Sequence, residues 1–313
     1  MPAPRSDVSR ARPLTKLESL PGPPCWSIRR LLERAARFFA VQHNRPLACL
    51  LVFLLGSLWL SASAVSARGL AASPPSAASP PLLRVRVVRA LPHDPAAFTQ
   101  GFFIRNGLFY ESLGRYGQSE LRVVDPESGR VLRSRALPDD LFGEGLAPAG
   151  ARIIQLTWKS GRALLWDART LGRAGEAPLG REAWGLAAGP GVLYLSDGTE
   201  RIARLSPVSM AETGSLTVYE GDRPVRQLNE LEFVQGFLLA NIWFEDQIAV
   251  IDPESGRVAA WIDLTPLRRS LGPDSGVANG IAWDGERLFV TGKNWDKVFE
   301  IEVPDAPWTP APH

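Results

Sequence analysis

Residues 100–112 read QGFFIRNGLFYES and form the first of five copies of one pattern in the chain. Each copy has a polar residue, then usually glycine and an apolar residue, and then an apolar strand that ends on a small polar residue. The copies begin at Gln100-Gly101, Glu144-Gly145, Trp184-Gly185, Asn229-Glu230 and Asn279-Gly280. Strand-rich repeats of about 45 residues are typical of propeller blades. The repeat therefore predicts an all-β fold, a five-bladed β-propeller.

The first residue of the marker pair varies among Gln, Glu, Trp and Asn in the five copies, although the rest of the pattern is kept. Blade frames repeat because packing requires it, so a position that varies within the frame is free of that requirement. We expect these five side chains to face the central channel of the propeller and to converge on one site.

Turn signals separate the strands within each copy. Asn106-Gly107 predicts a tight hairpin between strands at 101–104 and 108–112. The sequence Asp-Pro-Glu-Ser-Gly occurs at 125–129 and again at 252–256. Proline presets the backbone of a turn, aspartate bonds to the backbone after it and glycine accepts a positive φ, so both copies predict hairpin turns.

The composition changes along the chain and predicts five segments. They are a basic, Pro/Arg-rich leader (1–45), an apolar segment (46–67), an Ala/Ser/Pro linker (68–84), the propeller (85–303) and a Pro-rich, disordered tail (304–313).

The apolar segment has two interpretations. A basic leader, an apolar core and the small residues Ala62-Ser63-Ala64 fit a cleaved secretory signal peptide. The uncharged run 47–67 is also long enough for an uncleaved transmembrane anchor. Both interpretations predict an exported domain, periplasmic or extracellular, and the second one tethers it to the inner membrane.

The composition also excludes several kinds of site. Cys25 and Cys49 both precede the propeller, which excludes disulfides and thiolate chemistry within it. Only His93 of the three histidines lies near the propeller, which excludes a multi-histidine zinc site, and a Ser-His-Asp triad would need this residue. The positive charge is concentrated in the leader, so the propeller is slightly acidic and is not expected to bind nucleic acid.

Two charged side chains have the setting of a functional group. Glu144 lies between two glycines at a marker position, where few neighbours shield its carboxylate. Lys293 follows Thr291-Gly292 at the predicted end of a strand and precedes Trp295 closely, which indicates a confined site. Along 228–232, strict alternation puts Asn229 on one face and both glutamates on the other, and Glu232 is expected to face solvent.

The ten tryptophans are many for a chain of this length. Five of them fall at or near marker pairs or strand ends: Trp158, Trp184, Trp243, Trp283 and Trp295. Some are expected to pack between blades, and the others are expected to wall an apolar pocket.

At these residues the chain resembles the glutaminyl-peptide cyclotransferases of plants and bacteria, over about 98–303. The matching strings include FTQG (98–101), FGEG (142–145), QLTWK (155–159), WGL (184–186), LNELE (228–232), NGIA (279–282) and TGK (291–293). That family is a five-bladed propeller, in agreement with the repeat count. The resemblance implies conversion of N-terminal glutamine of peptides or proteins to pyroglutamate, with release of ammonia.

The resemblance also implies roles for individual residues. Glu144 is the carboxylate that moves protons between the two substrate nitrogens. Lys293, Asn229 and Gln100 hold the oxyanion, with the division of labour among them left open. The apolar wall consists of Phe98, Phe142, Trp158, Trp184 and Trp243.

Two other functions stay open from the sequence. A calcium-dependent, lactonase-like hydrolase would use Glu144, Asn229 and Asn279 as oxygen ligands, but such propellers have six blades. A periplasmic propeller that only binds peptides would not need both a lysine and a glutamate at the opening of its channel. The cyclotransferase is expected to be a monomer and to need no cofactor, with a structural calcium in the channel left open.

Overall fold

The computed structural model describes residues 79–308, and these form five β-sheets arranged as the blades of a propeller. The predicted leader, the apolar segment, most of the linker and the last residues of the tail lie outside the described residues. Within residues 79–308, no helix is long and apolar enough to span a bilayer.

The strands follow one another from the channel to the rim in each blade. Two strands come first, β1 (Leu82–Arg84) and β2 (Arg86–Pro92). Blade 1 has β3 (Thr99–Arg105), β4 (Leu108–Leu113), β5 (Glu120–Val124) and β6 (Val131–Ala136). Blade 2 has β7 (Gly143–Ala149), β8 (Arg152–Thr157), β9 (Arg162–Asp167) and β10 (Arg173–Pro178). Blade 3 has β11 (Leu186–Gly189), β12 (Val192–Ser196), β13 (Arg201–Leu205) and β14 (Glu212–Thr217).

The remaining elements complete the ring. A small hairpin, β15 (Tyr219–Glu220) and β16 (Arg223–Pro224), lies between blades 3 and 4 in the sequence. Blade 4 has β17 (Leu228–Val234), β18 (Phe237–Ile242), β19 (Gln247–Ile251) and β20 (Val258–Asp263), followed by a 3₁₀ helix at Thr265–Ser270. Blade 5 has β21 (Ala278–Trp283), β22 (Leu288–Gly292) and β23 (Lys297–Glu302). The five-bladed propeller predicted from the repeat is therefore confirmed.

Local chemistry explains the hairpins. Asn106 and Gly107 both have positive φ, at 53° and 72°, which is the conformation of the tight turn predicted between β3 and β4. In the Asp-Pro-Glu-Ser-Gly turn of blade 1, the Ser128 backbone N–H donates to Asp125 Oδ1 at 2.9 Å, and Gly129 has φ of 65°. The predicted turn chemistry is confirmed.

Both ends of the described chain are built into blades. Strand β2 pairs antiparallel with β23, so it supplies the outer strand of blade 5 and closes the ring. Strand β1 lies within the segment predicted as a linker, and it pairs in parallel with β20 at the edge of blade 4. At the other end, Ala306 is buried and Trp308 contacts Phe237 at 6.2 Å between ring centroids, although the tail was predicted to be disordered from residue 304.

In four of the five blades, the marker pair lies at a β-bulge of the innermost strand. In blades 1, 2, 4 and 5, the register between the innermost strand and its neighbour shifts across the marker pair. In blade 3, Trp184-Gly185 comes directly before β11. A bulge bends its strand and changes the direction of its side chains. The pattern found in the sequence is therefore the bulge that aims one side chain per blade.

The bulge in β17 corrects the prediction of strict alternation at 228–232. Asn229 and Glu230 are both buried, and Glu230 accepts backbone N–H groups from Phe102 at 3.3 Å and Ile281 at 2.9 Å. Glu230 thus joins the innermost strands of blades 4, 1 and 5. Glu232 is half-buried instead of solvent-facing, and its burial raises the pKa of its carboxyl well above the usual value.

Candidate active site

One cavity of about 240 Å³ is lined by all nine residues that the sequence predicts for the site. They are Phe98, Gln100, Phe142, Glu144, Trp158, Trp184, Asn229, Trp243 and Lys293. Four of the five marker positions thus converge on one site as predicted, and the fifth, Asn279, supports it from behind.

The topology explains why residues so far apart in sequence meet here. Gln100, Glu144 and Asn229 lie near the start of innermost strands. Trp158, Trp243 and Lys293 each directly follow the second strand of a blade. Because adjacent strands are antiparallel, an innermost strand begins where the second strand ends, so both groups reach the same end of the propeller.

Glu144 is the buried acid of the cavity, with an exposed fraction of 4%. Burial raises the pKa of its carboxyl well above the usual value. Lys293 and a hydrogen bond from Gln100 act in the opposite direction, and the charge of Glu182 raises the pKa further. A carboxyl with a raised pKa can both accept and donate a proton near neutral pH.

Lys293 is the cation of the cavity, with an exposed fraction of 8%. Burial lowers the pKa of its ammonium group, and the nearby Glu144 opposes that shift. Its Nζ lies 4.8 Å from the centroid of the Phe98 ring, within the range of a cation–π contact. Its backbone N–H donates to Val277 O at 2.9 Å, which fixes the base of the side chain.

Asn279 orients the amide of Gln100. Its Nδ2 donates to Gln100 Oε1 at 3.3 Å and to Thr99 O at 2.9 Å. Because the oxygen of the Gln100 amide is thereby engaged, its NH₂ group is left to donate to Glu144. The sequence predicted Asn279 as a channel residue or a calcium ligand, and it did not predict this supporting role.

Asn229 is held by its backbone and leaves a side-chain acceptor free. Ser196 Oγ donates to the Asn229 carbonyl oxygen at 2.6 Å and accepts the Gly185 N–H at 2.8 Å. Asn229 Oδ1 is buried and has no hydrogen-bond partner within the described part of the chain. A buried acceptor without a partner is costly, so a donor on a bound ligand would be favoured there.

Aromatic rings form the walls in two groups. Phe142 contacts Phe98 at 6.3 Å and Trp158 at 5.6 Å, measured between ring centroids. On the other side, Trp184 contacts Trp243 at 5.3 Å. Trp283 and Trp295, also singled out in the sequence, pack in a hydrophobic cluster of blades 4 and 5 instead. The tryptophans therefore divide between pocket and core.

Glu182 is a residue of the site that the sequence did not predict. Its Oε1 accepts Trp158 Nε1 at 2.6 Å and Trp184 Nε1 at 3.0 Å. The only signal in the sequence is an acidic residue two positions before a marker tryptophan.

His93 lies outside the cavity lining and has a different environment. Its Nε2 contacts Glu111 Oε1 at 2.9 Å, and its Nδ1 contacts Trp295 O at 2.7 Å. Burial opposes its charged form, but Glu111 outweighs it, so the pKa of His93 is raised. Within residues 79–308, no group of three or more His, Cys, Asp or Glu side chains could hold a metal ion.

Comparison with known proteins identifies the family. The family model for glutamine cyclotransferase matches residues 59–303. The chain is 36% identical to a glutaminyl-peptide cyclotransferase of Arabidopsis thaliana, over 97% of this chain and 95% of the relative. The crystal structure of Myxococcus xanthus glutaminyl cyclase superimposes with a TM-score of 0.66 at 35% identity, covering 71% of this chain and 97% of that one. The chain therefore belongs to the glutamine cyclotransferase family.

Proposed function

We propose that this protein converts the N-terminal glutamine of peptides or proteins to pyroglutamate and releases ammonia. The observation that carries the proposal is the buried pair of Glu144 and Lys293, with shifted pKa values, at an aromatic-walled cavity in a chain of this family. The names of the relatives from Arabidopsis and Myxococcus support the same activity.

The reaction closes a ring within one residue. The α-amino nitrogen, in its neutral form, attacks the γ-carboxamide carbon, and the C–N bond to the carboxamide nitrogen then breaks. One proton must leave the attacking nitrogen and one must reach the departing nitrogen, so that NH₃ is released. The Glu144 carboxylate takes the first proton and delivers it to the leaving nitrogen, which returns the residue to its starting state.

The tetrahedral intermediate carries a negative oxygen that needs donors. Lys293 supplies a cation, and the Gln100 NH₂ group faces the same region because Asn279 engages the other end of its amide. Asn229 Oδ1, which has no partner in the described part of the chain, accepts an N–H of the bound substrate. The aromatic walls exclude water and so strengthen these interactions.

Two alternatives are disfavoured by particular observations. The oxygen set of a lactonase-like site is not gathered in the cavity, because Glu144 and Asn229 line the cavity whereas Asn279 does not. The fold has five blades, whereas that class has six. A propeller that only binds peptides would not need Glu144 and Lys293 to be buried together, and their burial lowers the stability of the fold.

An ammonia-release assay on the full-length protein tests the function. We expect a Gln-initiated dipeptide to release ammonia and to lose the mass of one NH₃ molecule. The same dipeptide with an acetylated α-nitrogen is the control, since it has no free amine to attack. Failure to release ammonia from any Gln-initiated peptide would refute the proposal.

We also propose that catalysis needs no metal ion. We expect unchanged activity with a zinc-specific chelator, and loss that zinc restores would contradict this. A structural calcium in the channel is a separate proposal, supported by Asn279 Oδ1, which is buried and has no hydrogen-bond partner within the described residues, since calcium prefers oxygen ligands. It predicts a higher melting temperature with calcium than with EGTA, and equal melting temperatures would rule it out.

We further propose that the protein is exported and monomeric. The basic leader and the uncharged run at 47–67 support export. Sequencing of the mature N-terminus separates the two versions, because a start near Arg68 supports cleavage and an intact Met1 in the membrane fraction supports the anchor. Full-length active protein in the soluble cytoplasm would contradict both versions, and light scattering checks the monomer.

A further inference from the structure

A single carboxylate oxygen joins the two aromatic walls of the cavity. Glu182 lies in the connection between blades 2 and 3, between β10 and β11. Its Oε1 accepts the indole N–H of Trp158, from blade 2, at 2.6 Å and that of Trp184, at the start of blade 3, at 3.0 Å. An indole has only one hydrogen-bond donor, so both tryptophans donate their only polar group to the same oxygen atom.

Ring contacts of these two tryptophans extend the link around the cavity. On one side, Trp158 packs against Phe142, which packs against Phe98. On the other side, Trp184 packs against Trp243. The outer ends of both walls are exposed aromatics, Tyr116 against Phe142 at 5.4 Å and Phe244 against Trp243 at 4.3 Å. Glu182 is therefore a polar contact that joins these two aromatic groups.

The carboxylate of Glu182 is available as an acceptor for the two indoles. Within the described residues, Glu182 has no cation within ion-pair distance, and Arg181 beside it pairs with Glu212. Hydrogen bonds to a charged acceptor are about twice as strong as neutral ones. Burial is the main cause that raises the pKa of Glu144, and the negative charge of Glu182 adds a smaller contribution.

We propose that Glu182 is a positioning residue that fixes Trp158 and Trp184 as the facing walls of the glutamine pocket. This inference rests on the proposed function. It predicts that the oxygen acceptor and the negative charge of residue 182 have separable effects. The acceptor holds the two indoles and so sets how well the substrate is bound, whereas removal of the charge alone should leave binding in place.

Two substitutions separate these effects. Glu182→Gln keeps a carbonyl oxygen for the indoles and removes the charge, so we expect KM within about threefold of wild type. Glu182→Ala removes the acceptor too, so we expect a loss in kcat/KM of about 100-fold, the effect of a misplaced wall. Glu176→Ala, at an exposed carboxylate on β10 of blade 2, is the control and should leave both quantities unchanged.

Tryptophan fluorescence without substrate gives a readout that does not need activity. We expect Glu182→Ala to shift the emission maximum, and we expect this shift to shrink in a Trp158→Phe background, where one of the two linked indoles is gone. If the protein released no ammonia, the proposed function would fail, yet the emission test would still report on the link.

Two results would overturn the proposal. One is an Ala variant with the KM and emission spectrum of wild type. The other is a Gln variant as damaged as the Ala variant with an equally lowered melting temperature, since that marks a structural role.

Discussion

At the scale of single residues, burial sets the chemistry of the site. Glu144 and Lys293 are an ordinary acid and an ordinary base, and burial disfavours the charged form of each. Burial raises the pKa of Glu144 and lowers the pKa of Lys293, so both values move towards neutral pH. Shifted pairs of this kind cluster at functional sites.

The first prediction concerns Glu144→Gln. We expect kcat to fall by about 100-fold or more, because the amide cannot relay a proton. The folded-state pKa of Glu144 is raised, so its contribution to stability is present at low pH and is lost as pH rises through that pKa. The variant should therefore melt at the same or a higher temperature than wild type at alkaline pH. Glu232→Gln, at a half-buried acid outside the cavity, should keep its kcat.

The second prediction concerns the pH profile and Lys293. We expect a bell-shaped kcat/KM whose acid limb lies well above the usual glutamate value and whose alkaline limb lies below the usual lysine value. In Lys293→Met, the remaining activity should show an acid limb at still higher pH, because the lysine lowers the pKa of Glu144. Turnover should fall while the melting temperature stays equal or rises. An unchanged profile, or unfolding with normal specific activity, would make Lys293 structural.

At the scale of the secondary-structure elements, the bulges and their glycines bring the innermost strands close together. A Cβ added at Gly185 would collide with the backbone carbonyl of Asn229, and one at Gly145 would lie 2.5 Å from Leu186 N. These contacts join neighbouring blades at the height of the cavity. The marker glycine is therefore required by packing, while the residue before it is free to serve the site.

The third prediction compares two glycines. Gly185→Ala should destabilise the fold by about 3 kcal/mol, the upper range for overpacking, and should displace Asn229. Gly214→Ala is the control, because a Cβ there meets no atom within 4 Å, and it should change stability by less than about 0.5 kcal/mol. Chemical denaturation measures both. Equal stability of the two variants would mean that the blades can move apart without cost.

At the scale of the whole molecule, the ring is closed by non-local contacts near the start of the described chain. Strand β2 completes blade 5 through its pairing with β23. His93 follows β2 directly, and its contacts with Glu111 of blade 1 and Trp295 O of blade 5 join the two blades that meet at the closure. Strand β1, in contrast, only extends the outer edge of blade 4.

The fourth prediction compares two truncations. A chain that starts at residue 85 loses β1 and should keep both activity and a cooperative melting transition. A chain that starts at residue 93 also loses β2, which leaves the edge of β23 unpaired, and it should lose cooperative melting or aggregate. Circular dichroism during heating checks both. Normal melting of the shorter chain would show that β2 is not needed for closure.

The repeat in the sequence determined the number of blades and the turns, because a blade is a local unit that repeats. Its variable marker positions predicted four of the nine cavity residues, and the resemblance to a known family completed the set. Only the tertiary structure decided what joins distant parts of the chain. The bulge that buries Glu230, the amide of Asn279 behind Gln100, the carboxylate of Glu182 between two indoles and the closing strand β2 all depend on contacts between blades. A period along the chain fixes where each strand lies in its blade, but side chains meet across blades by geometry that no local pattern encodes.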